Sequence, residues 1–151
     1  MSLKKMKIIN QTSAGGIVFK KIYHLNWLIT QHSQHKGWVF PKGLVGDKDS
    51  KESMEVAALR EVEEEGGVKA KIVNKKPIET HYEYIQTAST KTSEVKVKKT
   101  VYYFLMQYIS GDPKNHDWEM MNTKFVTAEE VKKTLTYKSD LEAFEKILKQ
   151  L

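Results

Sequence analysis

Three glutamates on one face of a predicted helix constrain this chain more than any other feature. Ser53 has the character of an N-cap, and Gly66 and Gly67 are typical of a helix end, so the helix is expected between them. At about 100° per residue, three carboxylates of this helix fall within roughly a 100° arc. They are Glu61, Glu64 and Glu65.

This acidic face is locally unfavourable for a helix. Like charges three or four residues apart cost about 0.2–0.5 kcal/mol per pair, and acids near the C-terminal end oppose the helix dipole. Arg60 can offset part of the cost by pairing with Glu64 or Glu63. A solvated acidic face is one interpretation. The other is a site for a hard divalent cation such as Mg²⁺, which binds carboxylate oxygens and keeps waters for substrate phosphates.

The spacing around this helix matches a known motif. The chain reads Gly46-x5-Glu52-x7-Arg60-Glu61-Val62-x-Glu64-Glu65-x-Gly67-Val68. This run resembles the Nudix box, G-x5-E-x7-R-E-U-x-E-E-x-G-U with U apolar, at every fixed position. In many relatives the box glycine belongs to the preceding Pro-Lys-Gly, which here lies three residues earlier, at 41–43. Either Gly43 or Gly46 therefore supplies the main-chain carbonyl that faces the metal in that family.

The resemblance implies a fold and a reaction. It implies an α/β fold, the Nudix α/β/α sandwich with a mixed β-sheet between helices, as a single domain over residues 1–151. Residues 1–10 are expected to be a flexible or edge segment. Nudix enzymes hydrolyse a nucleoside diphosphate linked to another group, and the implied cofactor is Mg²⁺, with Mn²⁺ as an alternative ion.

The resemblance also assigns roles to individual residues. The implied catalytic residues are Glu61, Glu64 and Glu65, with Glu61 a ligand and a possible base. The implied metal ligands are Gly43, Glu61, Glu64, Glu65 and Glu119. For Glu119 the alternative is an exposed loop glutamate beside a packed Trp118. Arg60 and Glu52 match box residues that hold the loop on the helix through a salt bridge.

Composition sets outer limits on the class of protein. With 151 residues, 40% hydrophobic and 29% charged, the chain suits one globular domain. No apolar run approaches the ~20 residues of a membrane span, and the N-terminal residues do not resemble a secretory signal. The absence of cysteine excludes disulfides and thiolate metal sites and is compatible with the expected cytoplasmic location.

The net charge of +6 favours a polyanionic substrate over a stable nucleic-acid partner, because the basic residues are scattered. The expected assembly is a monomer or homodimer.

Periodicity predicts the remaining elements. Strands are expected at 12–19, 24–30, 38–40, 68–73, 77–85, 98–108 and 124–126, with a hairpin tip at 86–97 and a loop at 115–122. Capping signals predict helices that begin at Thr127 and at Ser139. The glycines at 15 and 16 indicate either close approach to a ligand or simple packing. His32 and His35 are interpreted as solvated loop residues, with substrate contact as the alternative.

Outside the box, the chain resembles the bacterial-type diadenosine polyphosphate hydrolases. The resemblance rests on WVFPKG at 38–43, ETHYEYI at 79–85, KKTVYYFLMQY at 98–108, and Trp118, Glu119, Phe125 and Glu129. It implies an asymmetric cut of diadenosine tetraphosphate into ATP and AMP. The expected substrate contacts are Lys42, Lys98 and Lys99 for phosphates and Tyr84 and Tyr103 for stacking on adenine, with core packing of the tyrosines as the alternative. Other open interpretations are an RNA 5′-pyrophosphohydrolase, a nucleotide pool-cleaning enzyme and a non-catalytic nucleotide sensor.

Overall fold

The computed structural model describes residues 6–47, 49–87 and 94–151. The strands are β1 (Lys7–Lys21), β2 (Leu25–His32), β3 (Trp38–Val39), β4 (Lys42–Leu44), β5 (Val68–Ile72), β6 (Ile78–Thr87), β7 (Glu94–Gly111) and β8 (Met120–Thr127). The helices are α1 (Met54–Gly66), α2 (Ala128–Thr134) and α3 (Lys138–Leu148), with a short 3₁₀ turn at Pro113–Asn115.

The two longest strands form the centre of the sheet. β1 runs parallel to β7 from Lys7 opposite Val95 to Phe19 opposite Gln107. β6 pairs antiparallel with the first part of β7, as predicted, and β5 pairs with its last part. On the other side of β1, β4 joins near Gly15 and β2 joins near Lys20. β3 and β8 both pair with β2. The prediction of a mixed sheet is therefore confirmed.

Alternate residues of the central strands point to opposite faces of the sheet and build two cores. One core packs against α1 and includes Ala14, Val18, Leu28, Phe104 and Met106. The other packs beneath α2 and α3 and includes Ile17, Trp27, Ile29, Tyr103, Leu105 and Phe144. Helices thus cover both faces, and the predicted α/β/α sandwich is confirmed.

Local capping explains where the helices begin and end. The Ser53 hydroxyl accepts a hydrogen bond from the Val56 N–H (3.2 Å), and the Thr127 hydroxyl accepts one from the Glu130 N–H (3.2 Å), both as predicted. Gly67 ends α1 at φ +75°, a left-handed conformation that glycine adopts without strain. The predicted start of α3 at Ser139 was wrong, because the helix begins at Lys138 and follows Tyr137, whose side chain makes no cap.

Several boundaries also differ from the prediction. β1 begins at Lys7 rather than at residue 12, because its first residues pair with β7. β6 continues to Thr87 and β7 begins at Glu94, so the hairpin tip is shorter than the predicted 86–97, and residues 88–93 lie outside the described part. β8 begins at Met120, inside the predicted loop, because it hydrogen-bonds along almost all of β2. In the described ranges no helix has the length and apolar character needed to cross a membrane.

Candidate active site

A cleft of about 830 Å³ opens on the sheet face that carries α2 and α3. Strands β4, β6 and β7 supply its floor, and the acidic end of α1 and the start of α3 supply two of its walls. The lining includes the predicted site residues Lys42, Gly43, Glu61, Glu64, Glu65, Tyr84, Lys99 and Glu119. Residues from five separate parts of the chain therefore meet in one depression.

The three box carboxylates differ in their exposure. Glu61 and Glu65 are both buried, each with 6% of the residue exposed, whereas Glu64 is partly exposed. Oε1 of Glu65 accepts a hydrogen bond from the main-chain N–H of Lys42 at 3.1 Å. A buried carboxylate is costly unless something compensates for its lost hydration, so this patch is not a simple solvated helix face.

Arg60 organises the carboxylates from behind. Its Nε and Nη2 bind the two oxygens of Glu52 at 2.7 and 2.9 Å, a bidentate ion pair that fixes the loop before α1. Its Nη1 lies 2.6 Å from Oε1 of Glu61 and 3.2 Å from Oε2 of Glu64. The predicted salt bridge between Arg60 and Glu52 is confirmed. The Arg60–Glu64 pairing is also confirmed, whereas no ion pair joins Arg60 to Glu63 within the described ranges.

The two candidate glycines have different surroundings. A Cβ on Gly43 would collide with the carboxylate of Glu61, so only glycine leaves room for that side chain. Gly46 lies at φ +81° and donates its N–H to Oε1 of Glu52 at 3.2 Å. Gly46 therefore belongs to the loop anchor, whereas Gly43 lies against a candidate metal ligand. This contrast favours Gly43 for the metal-facing role.

Burial shifts the proton affinity of this cluster. Burial raises the pKa of Glu65 to about 8, against the hydrogen bond from Lys42 that lowers it. Burial likewise raises the pKa of Glu61, although its contacts with Arg60 act in the opposite direction. On the cleft floor, burial lowers the pKa of Lys99, and the nearby Lys42 ammonium lowers it further. The carboxylates thus favour a bound cation, and the lysines favour a bound anion.

The donor set suits a hard divalent cation. Glu61, Glu64, Glu65 and Glu119 offer only carboxylate oxygens, the ligands that Mg²⁺ prefers. The Glu61 carboxylate occupies the space that a Cβ on residue 43 would need, so the glycine lets this candidate ligand lie against the main chain of β4. Across the described part of the chain, no three acidic or histidine side chains already converge on one metal position. Metal binding at this patch would therefore need some side-chain reorientation, although Arg60 holds only one oxygen of Glu61 and one of Glu64.

Glu119 reaches the cleft from a loop that is hydrogen-bonded on two sides. The Asp117 N–H donates to the main-chain carbonyl of Glu64 at 2.8 Å, and the Ser33 N–H donates to the carbonyl of Glu119 at 2.9 Å. These bonds hold the loop against the end of α1. Trp118 is 79% exposed, so the expectation of a packed tryptophan beside Glu119 was wrong.

The two tyrosines predicted to stack on a base lie in different places. Tyr84 lines the cleft with 41% of its surface exposed. Tyr103 is fully buried in the core beneath α3, and its hydroxyl donates to Oδ1 of Asp140 at 2.8 Å. The prediction that Tyr103 stacks on a base was wrong, because no face of its ring reaches the cleft.

Other aromatic side chains of the cleft were not selected from the sequence. Tyr82 is stacked with Tyr84, with ring centroids 6.2 Å apart, and both line the cleft. Their spacing of two residues on one strand places them on the same face, which was the available sequence signal. Tyr137 also lines the cleft, and its hydroxyl lies 3.2 Å from Nδ1 of His35. His35 stacks on His32 at 4.2 Å, and both line the cleft, where His32 is half-buried and His35 is exposed to solvent as predicted.

The strand glycines serve packing. A Cβ on Gly15 would collide with the main chain at Pro41 and Lys42, and one on Gly16 would collide with Met106 and Val62. The close approach at Gly15 brings β4, and with it Lys42, against β1. These glycines position the site without lining it.

The fold and this constellation define a Nudix protein. The NUDIX domain model matches residues 10–147, and the chain belongs to the Nudix family. The sequence is similar to a protein of Mycobacterium tuberculosis (strain CDC 1551 / Oshkosh) named "Putative mutator protein MutT4", with 27% identity over 140 residues, covering 88% of this chain. The matched region covers 52% of that relative, so this chain spans about half its length.

Solved structures share the fold at low sequence identity. A MutT protein from Methanosarcina mazei Go1 superposes with a TM-score of 0.66 at 21% identity, covering 99% of this chain and 98% of the other. An Ap4A hydrolase from C. elegans gives a TM-score of 0.62 at 22% identity, covering 94% and 98%. The NUDIX domain of Shewanella oneidensis NrtR, complexed with ADP ribose, gives 0.60 at 17% identity, covering 98% and 90%. The predicted Nudix, MutT-like class is thereby confirmed.

Proposed function

We propose that this chain is a magnesium-dependent pyrophosphohydrolase that cuts dinucleoside polyphosphates asymmetrically, giving ATP and AMP from diadenosine tetraphosphate. The observation that carries this proposal is the sequence of chemical groups along one cleft. Carboxylates lie at the α1 end, lysines lie on the floor, and tyrosines lie along β6. A long substrate with a base, several phosphates and a scissile anhydride matches that order.

The acidic end supports hydrolysis of an anhydride. Glu61, Glu64, Glu65 and Glu119 would hold Mg²⁺, which supplies charge neutralisation at phosphate oxygens and alignment for in-line attack. The partial burial of the patch strengthens such electrostatic contacts. A carboxylate of the patch, with Glu61 as the candidate, would accept the proton of the attacking water.

The floor supports a polyphosphate chain. Lys42 and Lys99 both line the cleft, and among the described residues neither ammonium lies within 4.0 Å of a carboxylate. Lys99 is directly opposite Tyr82 in the β6–β7 pair. A cation free of a protein counter-ion is available to a phosphate oxygen. Lys98, in contrast, faces the other side of the sheet and lies 3.9 Å from Glu83, which makes it the weakest of the three lysines proposed for phosphate binding.

The aromatic end supports a nucleoside. Tyr84 offers an exposed ring, and Tyr82 packs beside it. Base stacking on an aromatic side chain contributes about 1–3 kcal/mol. The separation between these rings and the carboxylates would select which phosphorus is attacked, because the base is held at one end and the reacting anhydride at the other.

The reaction in ¹⁸O-water tests the proposal directly. Diadenosine tetraphosphate and Mg²⁺ are expected to give ATP and AMP, with the label in AMP. Two ADP as the main products would mean a symmetric cut and would contradict the proposed placement of base and metal. A reaction without divalent metal provides the blank.

A second candidate is a nucleotide pool-cleaning enzyme, which the similarity to the MutT4-named protein favours. A panel that contains dinucleoside tetraphosphates, simple and oxidised nucleoside triphosphates and 5′-triphosphate RNA separates the alternatives. The proposed function requires the highest kcat/KM for the dinucleoside. No turnover of any member, with tight nucleotide binding, would instead indicate a sensor.

A further inference from the structure

A buried carboxylate outside the metal patch also lines the cleft. Asp140 lies in the first turn of α3 and is 5% exposed, yet it belongs to the cleft lining. Its Oδ1 accepts the hydrogen bond from the Tyr103 hydroxyl at 2.8 Å. Among the described residues, the Asp140 side chain makes no second hydrogen bond. Asp140 thus retains acceptor capacity toward the cleft, since a carboxylate has about four lone-pair positions.

Packing alone does not require a carboxylate at this position. The Tyr103 hydroxyl needs one acceptor, which a neutral amide would supply at a lower desolvation cost. Burial raises the pKa of Asp140, although the Lys42 ammonium and the Tyr103 hydroxyl act in the opposite direction. A buried carboxylate has a high desolvation cost. Because Asp140 lines the cleft, a hydrogen-bond donor on a ligand explains this carboxylate better than packing in the core does.

The surroundings of Asp140 suit a nucleoside. Tyr82, Tyr84 and Tyr137 line the same cleft, and Tyr82 is close enough to Asp140 for the carboxylate to raise the pKa of its hydroxyl, after the larger effect of burial. Tyr137 lies three residues before Asp140, at the N-cap of α3. Aromatic rings stack on the face of any base and so do not discriminate between bases. A hydrogen-bond acceptor fixed near the edge of the base does discriminate between them.

We propose that Asp140 is a specificity residue that accepts a hydrogen bond from a donor of the bound nucleoside, with Tyr103 as the positioning residue that fixes its orientation. The donor is an N–H or O–H group, either the 6-amino group of adenine or a ribose hydroxyl. This inference rests on the proposed function only in taking a nucleotide to be the ligand. It extends that function by assigning the discrimination between nucleosides to one side chain.

Affinity measurements test this inference without turnover. Calorimetric titration in EDTA, where a magnesium-dependent hydrolysis does not proceed, compares ATP, ITP, 2′-deoxyATP and 3′-deoxyATP on the wild type, Asp140→Asn and Glu142→Gln. Glu142 is exposed on the same helix and serves as the matched control. Asp140→Asn keeps an oxygen for Tyr103, so the fold should persist, as thermal unfolding will verify.

We expect the wild type to prefer ATP to the analogue that lacks the recognised donor by about ten- to a hundredfold, the range of a hydrogen bond to a charged group. If the donor is the amine, Asp140→Asn abolishes or inverts the ATP-to-ITP ratio, because an amide N–H can donate to the 6-oxo group. If the donor is a ribose hydroxyl, Asp140→Asn instead abolishes the preference for ATP over the deoxy analogue that lacks that hydroxyl. Either result supports the inference, with Glu142→Gln unchanged.

Equal ratios in the wild type and Asp140→Asn across all four nucleotides would overturn it. Tyr103→Phe provides a second variant, which keeps the carboxylate but removes its donor. Tyr103→Phe should lower the same affinity ratio, but by a smaller factor than Asp140→Asn does, because the carboxylate is still present. If dinucleoside tetraphosphate is not cut but the ratio still depends on Asp140, the proposed function fails and this inference stands.

Discussion

The main-chain N–H of Lys42 donates a hydrogen bond to Oε1 of Glu65 across 3.1 Å. This bond joins the short strand β4 to the last turn of α1, so one carboxylate oxygen is fixed by the fold. It also places a candidate phosphate-binding lysine beside a candidate metal ligand. The acidic and basic parts of the cleft are therefore held in a defined relation before any substrate binds.

The carboxylate patch is expected to be catalytic. Glu65→Gln and Glu64→Gln should lower kcat by about 10²–10³-fold, the range for loss of one transition-state contact. The fold should persist in Glu65→Gln, because the oxygen of the new amide can still accept the hydrogen bond from the Lys42 N–H. Glu63→Gln is the matched control, since Glu63 is exposed on the same helix. Steady-state kinetics at several magnesium concentrations measure the effect. Near-normal turnover of either patch variant at modest magnesium would contradict the assignment.

Stability of the metal-free protein should fall as pH rises. The folded state keeps the proton of Glu65 up to a pKa of about 8, whereas the unfolded chain releases it near the usual value of 4.5. The folded state therefore binds more protons between roughly pH 4.5 and 8, and stability declines across that window by at most about 1.4 kcal/mol per pH unit for one proton. Thermal unfolding in EDTA measures this decline, and Mg²⁺ should offset it increasingly at higher pH.

Glu65→Gln provides the control for that slope, because its side chain does not titrate. A metal-free wild type whose melting temperature follows the same pH profile as Glu65→Gln would show that Glu65 does not carry the effect.

Loss of the exposed cleft tyrosine should weaken substrate binding more than chemistry. Tyr84→Ala is expected to raise KM by about five- to hundredfold with a smaller change in kcat, since stacking is largely uniform binding. Tyr23→Ala is the matched control, because Tyr23 is 88% exposed at the β1–β2 turn and outside the cleft lining. An unchanged KM in Tyr84→Ala, with a normal melting temperature, would remove Tyr84 from the substrate site.

Alanine substitutions at Gly43 and at Gly46 should have different effects on the protein. Gly43→Ala places a methyl group on the Glu61 carboxylate and is expected to reduce magnesium affinity and turnover together. Gly46→Ala forces a φ of +81° on a residue with a Cβ and is expected chiefly to lower the melting temperature. Calorimetric magnesium titration and thermal unfolding separate the effects. A Gly43→Ala variant with normal magnesium affinity would contradict the metal-facing role of Gly43.

Local signals predicted the box helix and the β6–β7 hairpin well. The N-cap at Ser53, the helix end at Gly67 and the β6–β7 hairpin each depend on neighbouring residues that a sequence displays directly. The acidic patch could be predicted for the same reason, because one helix carries all three glutamates.

The inner cleft could not be predicted in the same way. β7 is covered on both faces, so its aromatic and apolar residues do not reveal which side chain meets a core and which meets a cleft. Tyr103 was misassigned for this reason. Its partner Asp140 is 37 residues away on α3, and such a contact depends on how the helix docks rather than on any local pattern.

The parallel pairing of β1 with β7 also has a consequence for how the chain acquires its structure. Lys7 and Val95 are neighbours in the sheet but about 88 residues apart in sequence, so the central ladder closes a loop that contains the whole carboxylate helix. Contacts of such long range delay folding, because their chain entropy is lost before their energy is gained. During synthesis, α1 emerges after β1 but well before β7, so the sheet against which it packs is still incomplete at that stage. We expect the magnesium-responsive structure to form late, as one of the last events on the folding pathway.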